Sequence, residues 1–261
     1  MNLKTVRLTG PLGEVITLGV LDSGAGYTLD STRLDAAERS QFAAALPLVP
    51  GGVVAPGRLS FRSVRISGLL VAPTDIEVAG LARQLTFLLR DAGTDPVLIN
   101  YTPELDELEL SGFLRGAVRF EPVQGGPWMS YDFEVECPDP VALGDPQEED
   151  IEADLVNRGT APTWPTIRAV LSGTVTSLRI GSNTTGDFIQ LDGLSAVTEV
   201  VVTSRPGFET VEVDGVAALD KLAFTSTFFP LLPGGNDLYV TVLAGGGSAT
   251  ATVEWRDGFL L

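Results

Sequence analysis

The side chains of this sequence that could do chemistry are carboxylates and indoles, with little to complement them. It has 34 Asp and Glu residues and no histidine, which excludes Ser-His-Asp and Cys-His relays and histidine metal sites. Its one cysteine stands in Glu134-Val135-Glu136-Cys137-Pro138. Cys137 can form no intrachain disulfide and no thiolate zinc site, and its acidic neighbours raise rather than lower its pKa. It reads as an inert thiol at a strand end. Paired carboxylates such as Asp106 and Glu109 would suit a glycosidase if held about 5–10 Å apart; no motif marks them, and they read as solvated strand edges. Asp187 and Asp192-Gly193 could offer oxygens to calcium, yet no Asp-x-Asp-x-Asp-Gly loop is present, and they read as turns. No catalytic, metal or cofactor motif remains. Trp164 and Trp255 are candidates to stack on a sugar ring. Trp164, followed by Pro165, also suits a packing plug, and Trp255, in an alternating strand, suits a core.

The elements that would position such groups are mostly strands. Glycine (29) and proline (17) punctuate short apolar runs, as in an all-β chain with many turns. Residues 3–8 and 15–20 alternate around Gly10-Pro11-Leu12-Gly13. The pattern weakens over 25–56, where 30–45 has some helical character and Pro47, Pro50 and Pro56 mark a long excursion. A loop that long is usually functional or interfacial, and it reads as an arm reaching a neighbouring copy. Residues 59–66 resume a strand. Thr74-Asp75-Ile76-Glu77 is a capping box, followed at helical spacing by Ile76, Val78, Leu81, Ala82, Leu85, Leu88 and Leu89, which predicts a helix over 74–91. Strands are expected at 97–101, 107–113, 115–123 and 128–136, and Cys137-Pro138-Asp139-Pro140 closes a first domain, 1–140. The acidic run from Asp145 to Asp150 marks a linker, 141–155. Seven or eight short strands over 156–261 then suggest a β-sandwich.

Charge narrows the partners. The net charge is −17, with 11 basic and 17 acidic residues before position 137 and 6 and 17 from there on. Such a chain has no excess cations with which to hold a nucleic-acid backbone or an anionic membrane. The opening residues lack the apolar core of a signal peptide, and no apolar run approaches a membrane span, so the product is expected to be made in a cytoplasm.

An ordered series of weaker motifs is the most specific feature. The capped helix precedes several strands and an aromatic strand ending in Glu136-Cys137-Pro138-Asp139-Pro140. Then come Val156-Asn157-Arg158-Gly159-Thr160-Ala161-Pro162-Thr163-Trp164-Pro165, Phe229-Pro230-Leu231-Leu232-Pro233-Gly234-Gly235-Asn236, and Val253-Glu254-Trp255-Arg256. In this order the series resembles the distal tail proteins of long non-contractile-tailed phages and their gene transfer agent relatives. The resemblance implies a mainly β protein: an N-terminal split β-barrel-like domain with one helix, and a C-terminal galectin-like β-sandwich. It implies a structural, non-enzymatic role in the virion tail tip, with the first domain closing a hexameric ring through which DNA passes. The implied partners are further copies of the chain, a tail tube protein, a tail-associated hub or tip protein, a tape measure protein and receptor-binding proteins. The galectin likeness also invites a carbohydrate-binding reading of the second domain, although galectins use histidines that this chain lacks.

Overall fold

The computed structural model of the chain describes residues 5–22, 24–34, 39–45, 52–59, 61–102 and 107–260. Among these, strands dominate, with a single α-helix, and the chain divides into two compact units, Met1–Ala142 and Leu143–Leu260. No helix of the described residues is long and apolar enough to cross a membrane.

In the first unit β1 (Val6–Thr9) and β2 (Val15–Leu18) form the expected hairpin, Thr9 opposite Val15. A smaller hairpin joins β3 (Val20–Asp22) to β4 (Ala25–Tyr27). Next come β5 (Ser31–Leu34), the mutually paired β6 (Arg39–Ala45) and β7 (Gly52–Leu59), and the long β8 (Arg62–Val71). The helical character expected over 30–45 is overturned here. β5 is hydrogen-bonded along β8 and β6 along β7, and strand pairing outweighs the helix preference of an alanine-rich stretch. The excursion expected as a loop therefore holds β4, β5 and most of the β6–β7 pair; its residues 35–38 and 46–51 lie outside the described residues.

The helix α1 (Asp75–Leu89) starts where its cap predicts. Thr74 is extended and its Oγ1 accepts from the Glu77 amide at 3.3 Å, while Glu77 Oε2 accepts from the Thr74 amide at 3.1 Å. Two amide donors at the helix start are thus satisfied reciprocally. Val78, Leu85, Leu88 and Leu89 face the core. Ile76, read from its spacing as part of that face, instead lies 86% exposed, because its position in the first turn points away from the stripe set by Val78 and Leu85. The unit is completed by β9 (Val97–Tyr101), β10 (Leu108–Leu114), β11 (Arg119–Val123) and β12 (Trp128–Cys137). β12 pairs along its whole length with β8 on one side, and on the other with β11 and then β10. From β10 the pairing continues through β9 and β1 to β2. The result is a continuous path of pairing, β2-β1-β9-β10-β12-β8, with α1 packed against β2, β8 and β12.

The second unit opens on a surprise. The acidic linker expected over 141–155 is instead the strand β13 (Ala142–Asp150) and the short β14 (Leu155–Asn157). The reason is a distant partner. After β15 (Thr166–Ser172), β16 (Val175–Ser182), β17 (Phe188–Asp192), β18 (Glu199–Thr203), β19 (Thr210–Val213), β20 (Val216–Ala217), β21 (Gly234–Asn236) and β22 (Leu238–Gly245), the chain forms β23 (Ser248–Phe259), which pairs with β13. Arg256 clamps the pairing, its Nε donating to the Gly144 carbonyl at 2.6 Å. The order β20-β19-β18-β15-β23-β13 makes one sheet and β17-β16-β22 the other. Between them alternate residues bury a continuous core, including Ile167 and Ala169 of β15, Leu178 and Ile180 of β16, and Val200 and Val202 of β18. This is the β-sandwich that the strand spacing predicts.

Candidate functional site

The three motifs of the second unit converge on one buried joint. Asn157, at the end of β14, is 1% exposed. Its Nδ2 donates to the Ala161 carbonyl at 2.8 Å and to the Leu231 carbonyl at 3.3 Å; its Oδ1 accepts from the amides of Gly159 at 3.0 Å and Gly258 at 3.3 Å. Asp257 closes the other side, accepting from the Arg158 amide at 3.0 Å and from Trp255 Nε1 at 3.3 Å. Asn236 repeats the device within the third segment, accepting from the Leu232 amide and donating to its carbonyl, both at 2.8 Å. Gly159 is required by closeness rather than by φ: a Cβ there would stand 1.9 Å from the Gly258 carbonyl oxygen. Every polar atom of Asn157 therefore serves backbone, which leaves nothing for a ligand.

This settles where the two candidate indoles stand. Trp255 is 7% exposed and bonded to Asp257, so its ring belongs to the core and is withdrawn as a saccharide platform. Trp164 is 37% exposed. The Ser204 amide donates to the Pro165 carbonyl at 3.1 Å, which sets the Trp164-Pro165 turn beside the one running from Arg205 to Phe208. There the Arg205 guanidinium lies 5.3 Å over the Phe208 ring, and Phe208 is exposed. Sequence reasoning missed this second aromatic; an Arg and a Phe three residues apart across Pro-Gly was the available signal.

The remaining chemical candidates offer no centre. Burial pushes the Cys137 thiol up to about 12, against a partial lowering by Arg62. Asp192 Oδ1 is taken by Ser177 Oγ at 2.6 Å and Gln190 Nε2 at 3.2 Å. Asp106, half of the imagined carboxylate pair, lies outside the described residues, and Glu109 accepts from Asn100 at 3.4 Å. Among the described residues no three Cys, Asp or Glu side chains gather as metal ligands.

On the first unit exposed ion pairs run across β8, β12 and the residue just after β10. Arg65 grips Asp132 with two bonds of 2.8 Å, and Arg115 reaches Glu134 at 3.4 Å and Glu136 at 3.9 Å. The hydrogen bond from Arg65 holds the Asp132 carboxyl below its usual range.

The all-β frame has known counterparts. Residues 158–259 match the family of siphovirus-type tail components, C-terminal domain. The match takes in most of the second unit. Over its whole length the chain also shares the fold of the Dit protein of phage SPP1, described as a paradigm of the hub adsorption apparatus in phages infecting Gram-positive bacteria. The TM-score is 0.70 at 19% identity, covering 98% of this chain and 99% of that one. A chain of the phage P2 baseplate in its activated conformation with calcium gives 0.49 at 8% identity over 96% and 97%. One from the tail of an empty GTA particle gives 0.31 at 17% over 52% and 90%. These last two scores are too low to carry an argument. No curated protein matches the chain by sequence. The matched stretch takes in the second and third motifs of the joint and the first from Arg158 onward, with Val156 and Asn157 standing just before it.

Proposed function

We propose that the chain is a structural distal tail protein of a siphovirus-type particle, located at the virion tail tip and made in the host cytoplasm. Six copies close a ring through the first unit, joining the tail tube to the hub or tip that adsorbs to the host and letting DNA pass through the centre. The observation that carries this reading is a fold shared end to end with SPP1 Dit together with a tail-component domain at 158–259. The charge agrees with it: at a net −17, the ring repels a polyanion instead of retaining it. The β6–β7 hairpin agrees as well, since an isolated two-stranded hairpin is marginal in water and an arm laid on a neighbour would support it. Native mass measurement of the purified protein, alone and with tail tube protein, tests the reading. A closed hexamer is expected; a monomer at high concentration that also ignores the tube protein refutes it.

A second reading, a carbohydrate-binding role for the second unit, is favoured by the exposed Trp164 beside Arg205 and Phe208. Host cell-wall polysaccharide that quenches Trp164 fluorescence, with the response lost in Trp164→Ala, supports it; no response in the intact ring removes it.

A further inference from the structure

Exposed apolar residues of the first unit gather on both flanks of α1. On one flank Ala82, Thr86 and Phe87, with Phe120 of β11, line a shallow groove of about 410 Å³ whose charged members are Arg83 and Arg90. Phe87 is 48% exposed. On the other flank Tyr27 Oη donates to the Leu81 carbonyl at 3.0 Å and approaches Gln84, which brings β4, and β3 with it, to that side. Gln84 and Thr86 are two residues apart, hence roughly 200° apart around the helix, so the two flanks look in different directions. There Val20 and Leu21 of β3 are 46% and 50% exposed, followed by Asp22.

Both flanks also end a sheet. Among the described residues β3 pairs only with β4, and β11 only with β12, so each presents one row of backbone groups to whatever docks there. Their charges are opposite. Arg90 is engaged by its neighbour Asp91 at 2.9 Å, whereas Arg83 has no ion-pair partner among the described residues; the β3 edge carries Asp22. In a chain of 17 cations and 34 acids, copies repel one another unless a contact sets a scarce cation against an acid.

We propose that the α1–β11 groove receives the β3 edge of a second copy of this chain, Leu21 entering between Phe87 and Phe120 and Asp22 facing Arg83. The inference rests on the ring reading above and supplies it with a contact. Because the two surfaces differ, the contact is heterologous and repeats in one direction around a ring. Like surfaces facing each other would oppose arginine to arginine.

Cysteine cross-linking tests it, since the native Cys137 is fully buried and silent. Leu21→Cys and Thr86→Cys both alter exposed positions. After the assembled state of the unmodified protein has been measured, the two variants are mixed, reassembled and oxidised. Disulfide-linked dimers are expected from the mixture and none from either variant alone; the double variant should give a ladder reaching six. Arg83→Glu should weaken assembly at least tenfold, with recovery when combined with Asp22→Arg. Dimers from Thr86→Cys alone would overturn the proposal, because like surfaces would then be meeting. Hexamers that yield no cross-link would overturn it and leave the ring intact. Cross-linking of Thr86→Cys to Ala44→Cys in place of Leu21→Cys would assign the groove to the β6–β7 hairpin and overturn it too. A monomer, with and without tail tube protein, would instead remove the ring reading and this contact together.

Discussion

On the first unit Arg65, Asp132 and Glu134 stand on the outer side of strands whose inner side carries Ile66, Phe133 and Val135, with Arg115 beside them just past β10. In the second unit Asn157, Asn236 and Asp257 are buried, and they meet backbone amides and carbonyls rather than one another's charges. The energetic standing of the two arrangements differs. Exposed ion pairs are screened by water and salt and contribute little, so such a face can vary its charges to suit a partner. Removing a buried amide that serves several backbone groups orphans each of them that has no other partner. The first arrangement leaves its ion pairs at the surface, while the second uses its polar groups to hold distant segments together. The family match falls on the second unit, and the likeness of the first is one of fold.

The contrast breaks most readily at Asn157. Asn157→Ala removes the partner of the Gly159 and Gly258 amides and of the Ala161 carbonyl, while Leu231 keeps the Thr163 amide, and should destabilise the second unit by about 3 kcal/mol while leaving the first unchanged. Urea unfolding followed by fluorescence separates the two, with Trp128 reporting the first unit and Trp255 the second. Equal destabilisation of both would mean that the joint is not local to its unit.

Alkaline pH should act on the other side of the comparison. In the first unit burial pushes Tyr27 and Tyr101 from 10.0 up to about 12, and Cys137 from 9.0 up to about 12. These groups are neutral when folded, and the unfolded chain ionises first. Their stabilising contribution is therefore complete below pH 9 and is lost progressively as pH rises toward 12. The Trp128 transition should move to lower urea across that window, and Cys137→Ala should lessen the slope at its lower end. A Trp128 midpoint that does not change with pH would contradict this.

The smallest effect is expected at the helix start. Thr74→Ala removes half of the capping box and should cost about 1 kcal/mol, read as a shift of the first-unit transition alone. A shift below the error of the melt would place the helix under the control of Leu85 and Leu88 packing rather than of its cap.

What could be read from the sequence follows from how local each cause is. The α1 cap is legible because Thr74 and Glu77 are three residues apart and contain their own explanation. The alternation of Tyr131, Phe133 and Val135 is equally local. β13 was illegible because its partner, β23, lies more than a hundred residues away, and Glu148, Glu149 and Asp150 look like linker until that partner is known. The stretch 30–45 misleads for the same reason, its alanines favouring helix while β8 and β7 supply the pairing that decides. At the candidate sites, the alternation around Trp255 already points to a core, whereas the exposure of Trp164 beside Pro165 is decided only by the fold. The α1–β11 groove could not be seen at all, since Phe87 and Phe120 meet only through tertiary structure.

The Asn157 joint has a consequence for the order of events at the ribosome. Asn157 bonds to Leu231, 74 positions further on, and to Gly258, 101 positions further on. A nascent chain emerges from its N-terminus, so the first unit is free of the exit tunnel while these acceptors and donors are still being made. The second unit cannot lock until β23 has left the tunnel, and its early strands must wait with their edges open. Growing chains on one message would therefore display folded first units well before any carries a closed sandwich, and the first unit has the earlier opportunity to find its neighbours.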